Sequence, residues 1–354
     1  MSNPQKPQVM VGISVRKDAR PAVETLEAIK RRPQTEDGRH YEFAVGLECE
    51  ARREDMLAAD YGPDFIEAIR EQKWKGLYLW DEELNKKALA VFDCALGRPI
   101  YEGFSYGAAV NRLMLLAIAA GAKYLVRFDP GTGVSCLDEL VKHHIATMER
   151  TGAKVVSGQY SRRLALRTDF IIVRRIERYL ELVRKFTGIN PRRGKQVTGG
   201  AGFTVAPDGP PAMPFQGARV WGSDDGYFKT ECPGQALVQT RIEVLRAKPG
   251  VSMEVKDYVA RVANMVALHE LSRTGNKERA LRKARSFAEG LVPLVKAGTD
   301  FSPQAVMDSR EFQIAKLRPG LDNYASLNEN WAAVIRAFRA SALVNQARIF
   351  QEGG

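Results

Sequence analysis

The most constraining stretch of this chain runs from Asn111 to Gly133, N-R-L-M-L-L-A-I-A-A-G-A-K-Y-L-V-R-F-D-P-G-T-G. Its first half, rich in Ala, Leu, Met and Ile and free of breakers, predicts a helix, with Gly121 as its stop. Lys123–Phe128 reads as a short apolar strand that ends abruptly in Asp129. Pro130, Gly131, Thr132 and Gly133 then admit only a tight loop. Open α/β sheets gather their ligand chemistry at such a place, where a buried strand delivers a carboxylate onto a glycine-rich turn.

Other segments supply partners for that strand. Val9–Val15 (V-M-V-G-I-S-V), Tyr41–Leu47 and Gly76–Trp80 read as strands, and Lys154–Gly158 as a fifth. Helices are expected over Ala22–Lys30, with Pro21 in its first turn, over Asp64–Gln72 and over Leu137–Thr151. Asp81–Lys87 reads as a charged segment and Thr35–Arg39 as a polar turn. Strands alternating with helices predict parallel βαβ units in a three-layer α/β sandwich. Beyond them come an arginine-studded helix over Phe170–Phe186 and a glycine-led strand, Gly199–Val205. Helical periodicity follows over Val255–Arg273, Lys277–Ala297, Pro303–Ala315 and Tyr324–Phe350. The expected organisation is a disordered polar tail over 1–8, an α/β domain over 9–240 and a helical C-terminal subdomain over 241–354.

Composition narrows the function. The 354 residues hold no run of about 18 apolar residues. The first residues, M-S-N-P-Q-K-P-Q, lack a signal-peptide core, so a cytoplasmic protein without a membrane span is expected. Four scattered cysteines form no C-x-x-C pair, and free thiols are expected. His269 falls on a predicted helix and reads more readily as a structural histidine than as a metal ligand. The net charge of +11 fits a solvated basic surface or an anionic ligand such as a nucleotide or phosphorylated substrate. The basic residues are dispersed and no nucleic-acid module is present, so nucleic acid is not an expected partner. No G-x-G-x-x-G follows the first strand and there is no Walker A motif, which argues against a Rossmann dehydrogenase and a P-loop NTPase. The G-x-S-x-G elbow is missing as well.

Acidic loops remain as the candidate chemistry. Asp129 suits a divalent cation that bridges two phosphates, because Mg2+ uses one or two carboxylates plus phosphate oxygens. It equally suits a loop cap bonded to backbone amides. In Trp221-Gly222-Ser223-Asp224-Asp225, adjacent carboxylates repel and one is fit to act as a base; a solvated turn beside a core tryptophan is the other reading. At the end of the first strand, Asp18 suits a base or ribose, and Arg16 or Lys17 a phosphate. Arg192-Arg193-Gly194-Lys195 suits a diphosphate clamp or a solvated loop.

Taken together, these segments resemble the glycosyltransferases of the GT-A fold over about residues 9–230. The matching features are the first-strand loop Ser14-Val15-Arg16-Lys17-Asp18, the helix start Ala108-Ala109-Val110-Asn111-Arg112 and the strand Tyr124–Asp129. The glycine-led strand Gly199-Gly200-Ala201-Gly202 and Trp221–Asp225, which is similar to that family's W-G-x-E-D acceptor motif, complete the set. The D-x-D motif is reduced here to one carboxylate, and Asp224 stands in place of the usual Glu.

The resemblance implies a mostly parallel sheet of the nucleotide-diphospho-sugar transferase type. It also implies transfer of a sugar from a nucleotide-sugar donor to an acceptor hydroxyl, on a small molecule or a glycan. In an inverting member Asp225 would be the base and Asp224 would orient the acceptor. Asp129 would hold Mg2+ or Mn2+, and Arg16, Asp18, Asn111, Arg112, Arg127 and Thr132 would contact the donor. The alternatives are a sugar nucleotidyltransferase, disfavoured by the missing N-terminal glycine-rich loop, and a non-catalytic glycosyltransferase-like binding protein. The C-terminal helices would cover the acceptor side or pair two copies of the chain.

Overall fold

The computed structural model describes residues 9–15, 20–29, 41–49, 67, 69–71, 73–97, 106–128, 131–152, 155–160, 176–187, 203–205, 237–246, 263, 266, 267, 269–271, 273–294 and 329–351. The apolar runs of the first part form β1 (Val9–Val15), β2 (Phe43–Cys49), β3 (Gly76–Trp80) and β4 (Tyr124–Phe128), nearly all of them buried. Strands buried on both faces need no apolar/polar alternation, which is why they read as continuous runs. All four are parallel, in the order β4-β1-β2-β3. The chain therefore steps outward from β1 to β3 and then returns to β1's other side for β4.

The sheet extends on both flanks. β5 (Thr132–Gly133), β6 (Val155–Tyr160), β7 (Phe203–Val205) and β8 (Leu237–Arg246) complete one side in the order β5-β8-β6-β7-β4. β7 runs antiparallel to both of its neighbours. No strand was expected over Leu237–Arg246, and the expected boundary at residue 240 falls inside it.

Helices cover both faces, so the expected layered α/β architecture is the one found. One core joins β1, β2 and β4 to α1 (Arg20–Ala28) and, across the strands' other ends, to the helix Leu137–Thr151. The opposite core takes α2 (Glu82–Leu96), α3 (Tyr106–Ala119) and a helix over residues 329–340. The helix Leu137–Thr151 is α4, and further helices among the described residues include α5 (Ile176–Thr187), α6 (Lys277–Leu291) and α7 (Leu343–Ala347).

The close fit of α3 depends on two glycines that face each other in register, Gly12 of β1 and Gly46 of β2. A Cβ on Gly12 would lie 3.0 Å from Leu113 of α3, and one on Gly46 would lie 2.7 Å from Met10 Sδ. Their bare backbones let Leu113 reach down to the sheet.

Two expectations are corrected. The charged segment Asp81–Lys87 is the start of α2: Asp81 caps it by accepting from Leu84 N at 2.7 Å, and Leu84, Ala88 and Phe92 make its buried stripe. Glu82–Lys86 and Glu83–Lys87 pair one turn apart on its exposed side. The helix expected over Tyr324–Phe350 is not continuous. The helix over 329–340 stops where Ala342 adopts a left-handed φ of 57°. After α7 the chain becomes strand β9 (Arg348–Gln351), antiparallel to β3. An outer edge of β3 would present a row of unpaired backbone groups, and β9 satisfies it. The apolar face of the 329–340 helix packs on the chain's own sheet, with Trp331, Val334 and Phe338 buried and Phe338 stacked on Trp80 at 5.1 Å.

Candidate functional site

The strand order decides where a site belongs. Between β1 and β4 the connections diverge to opposite sides, leaving a crevice beyond the carboxyl ends of the two strands. β1 ends at Val15 and β4 at Phe128, side by side at this edge of the sheet. These are the places expected to supply Arg16, Asp18 and Asp129. Those three residues, together with Asp224 and Asp225, lie outside the described residues; Asn111, Arg112, Arg127 and Thr132 lie within them.

Phe128 is fixed in register opposite Ile13. Beyond Asp129 and Pro130, the backbone N–H of Gly131 donates to Thr25 Oγ1 of α1 at 2.8 Å, a buried bond. Gly131 itself has φ +77°, the left-handed region glycine enters without strain. Gly133 then lies against the end of α1, so closely that a Cβ would sit 2.5 Å from Ala28 Cβ and 2.7 Å from its carbonyl oxygen. Val134 bridges to Ile29. The chain is therefore held by β1 up to Phe128 and by α1 from Gly131 onward. Thr132 is fully buried in β5.

A polar layer lies on the face covered by α3. In a strand, alternate residues share a face, so Gly12 and Ser14 of β1, Glu48 of β2 and Arg127 of β4 point the same way, with Ser14 opposite Glu48 and Gly12 opposite Arg127. Glu48 is fully buried, and Arg112 Nη1 from α3 donates to its Oε1 at 2.6 Å. Asn111, next to Arg112, is also buried, and Arg127 has no exposed surface at all. A charge at that depth needs polar partners around it.

The structure thus brings Arg112 to Glu48 and places Asn111 and Arg127 in the same buried layer. Thr132 lies on the loop tied to α1. Two residues of this arrangement were not foreseen. Glu48 was missed because the second strand was expected to stop at Leu47, whereas β2 continues to Cys49. The signal was a lone acid at the end of an apolar run. Thr25 carried no signal, since its partner is 106 residues away.

Among the described residues no group of three or more His, Cys, Asp or Glu is placed to hold a metal ion. A site built on Asp129 would draw most of its ligands from phosphate oxygens and water, as Mg2+ commonly does. The free thiols expected are found at Cys49, Cys94 and Cys136. No helix among the described residues is long and apolar enough to cross a membrane.

No protein-family model matches the chain, and no curated protein does. Solved structures resemble it. Glucosyl-3-phosphoglycerate synthase from Mycobacterium tuberculosis, in complex with Mn2+, uridine diphosphate and glucosyl-3-phosphoglycerate, is 13% identical with a TM-score of 0.44, over 76% of this chain and 80% of that chain. A mannosyltransferase from Pyrobaculum calidifontis, in complex with GDP-Man and Mn2+, is 13% identical with a TM-score of 0.41, over 92% of this chain and 88% of that chain. At these scores the likeness is one of gross chain path, and the α/β assignment rests on the sheet order.

Proposed function

We propose that this chain is a GT-A-type glycosyltransferase that binds a nucleotide-sugar donor in the crevice between β1 and β4. The observation that supports it most is the β4-β1-β2-β3 order, with the chain from Gly131 to Gly133 held against α1 by Thr25 and by the packing of Gly133 on Ala28. A donor's base and ribose would lie toward the end of β1, near Asp18, with Arg16 toward the phosphates. Asn111, Arg112 and Thr132 would shape the cleft's wall, and buried Arg127 would act on the diphosphate side through its charge.

Asp225 is the proposed base. It takes the proton of an acceptor hydroxyl as that oxygen bonds to the anomeric carbon. The bond from that carbon to the diphosphate oxygen breaks, and the nucleoside diphosphate leaves with its electron pair. Asp224 orients the acceptor. Asp129 would hold Mg2+ or Mn2+, whose charge offsets that growing on the leaving diphosphate.

A thermal-shift screen of sugar nucleotides, with and without Mn2+, tests the donor site; no stabilisation by any donor refutes the reading. Asp225→Asn should lose turnover and keep donor binding. Asp129→Ala should abolish any Mn2+ response, and an unchanged response removes Asp129 from the mechanism. The single acid of Asp129-Pro130-Gly131 favours a second reading, a non-catalytic nucleotide-sugar binding protein. That reading predicts donor binding with no transfer and no sugar-nucleotide hydrolysis.

A further inference from the structure

Away from the crevice, one buried carboxylate gathers three cations. The chain turns from a helix containing His269–Leu271 into α6 through Gly275, in the left-handed region at φ 62°, and Asn276, whose Oδ1 accepts from Arg279 N at 2.9 Å. Glu270, just before the turn, has a fully buried side chain. Its Oε1 accepts from Arg273 Nη2 at 2.9 Å and is ion-paired with Arg279, whose Nε lies 2.6 Å away. Its Oε2 accepts from Lys283 Nζ at 2.5 Å and again from Arg273 Nη2 at 3.2 Å. Burial raises the Glu270 pKa, but the hydrogen bonds from Lys283 and Arg273 outweigh it and hold the carboxyl down at about 2.

The charges do not balance. Three cations against one carboxylate leave two positive charges, and Glu270 is the only anionic partner of Arg273, Arg279 and Lys283 among the described residues. Glu278 is displaced by about 100° around the helix from Arg279, and exposed Arg282 adds a further cation on that flank. Arg279 approaches Glu270 with its Nε, and its side chain is 57% exposed; that of Arg273 is 54% exposed. A guanidinium offers five donors in a fork that fits phosphate oxygens. Glu270 thus fixes the cations from inside while their outer donors face solvent beside the amino end of α6, where the helix dipole also favours an anion.

We propose that the Glu270 cluster is a binding site for a phosphoryl dianion, as inorganic phosphate or a phosphate monoester, held by Arg273, Arg279 and Lys283. The surplus of two charges matches that of the ligand. His269 reports on occupancy. Burial first, and then the charge of Lys283, hold its pKa below the usual 6.5. A dianion placed among these cations raises it. The proposal does not depend on the glycosyltransferase reading.

The test follows the His269 imidazole by NMR and the melting temperature while inorganic phosphate is added at millimolar concentration, against sodium chloride of matched ionic strength. Phosphate should raise the His269 pKa and the melting temperature where chloride does not. Arg279→Gln should weaken phosphate binding about tenfold, the loss of one charge-assisted fork, with Arg273→Gln as a second variant and circular dichroism to confirm folding. Equal responses to phosphate and chloride, or an undiminished phosphate response in both folded variants, would reduce the cluster to a solvated ion network and overturn the proposal. Glycerol phosphate distinguishes the sources: tighter binding than inorganic phosphate identifies a phosphate monoester as the ligand, and equal binding identifies free phosphate. Uridine diphosphate should leave His269 unmoved; a response that Arg279→Gln removes would assign the cluster to the nucleotide and overturn the proposal.

Discussion

Arg112→Met should be among the most damaging single changes in the central sheet. The Arg112 Nη1 and Glu48 Oε1 atoms are 2.6 Å apart, with Glu48 fully buried and Arg112's side chain 13% exposed. At an effective dielectric of about 20, charges 2.6 Å apart attract by about 6 kcal/mol. Desolvation of the two ions offsets most of that, since each costs several kcal/mol to bury. The pair's net contribution is therefore small, but removing one partner leaves the other's desolvation uncompensated. Arg112→Met takes a charged donor away from a fully buried carboxylate and should cost about 3–5 kcal/mol. Glu48→Gln should cost less, about 1–3 kcal/mol, because Arg112 retains a path to water and the amide still accepts a hydrogen bond. The double variant should recover at least about half of the Arg112→Met loss, because a pair replaced by neutral groups of similar size is often close to neutral. Urea unfolding at neutral pH, followed by circular dichroism with a common slope, yields all three values. A cost below about 1 kcal/mol for Arg112→Met, or simple additivity in the double variant, would refute the argument that this ion pair fixes α3 on the sheet.

Three further outcomes are expected. Burial, aided by the charge of His143, pushes the His144 pKa down to about 3, whereas the unfolded chain binds that proton near 6.5. Its contribution is complete above 6.5 and is lost as pH falls toward 3, by up to about 1.4 kcal/mol per pH unit; His144→Gln should flatten the pH dependence of the urea midpoint in that window, and an unchanged slope rejects the assignment. Gly133→Ala forces a Cβ against the Ala28 backbone and should cost about 1–3 kcal/mol or more. Gly131→Ala meets no atom within 4 Å and pays only for its left-handed φ, about 1–2 kcal/mol; melting temperatures in the reverse order would contradict the packing. Thr25→Val should speed hydrogen exchange at the Gly131 amide by leaving a buried donor unmet, and Thr25→Ser should restore protection. Equal exchange in both variants would show that the bond does not hold the turn.

Sequence alone determined the parts that depend on near neighbours. Apolar runs and their punctuation identified β1, β3, β4 and the helix Leu137–Thr151, the last to the residue, because burial on both faces and a glycine stop leave local marks. The end of β4 at Phe128 was legible for the same reason. Tertiary structure decided what long-range pairing controls. It decided that β4 returns to the far side of β1, which makes the end of that strand a crevice. It decided that Glu48, one residue past the expected end of its strand, takes Arg112 as its partner 64 residues on. It decided that Thr25 ties down Gly131 across 106 residues and that the chain's last described residues become an edge strand instead of a helix. Local preference is set by a few consecutive side chains and was enough for the elements. The site is set by which elements pack together, and that depends on burial gained only when the whole sheet forms.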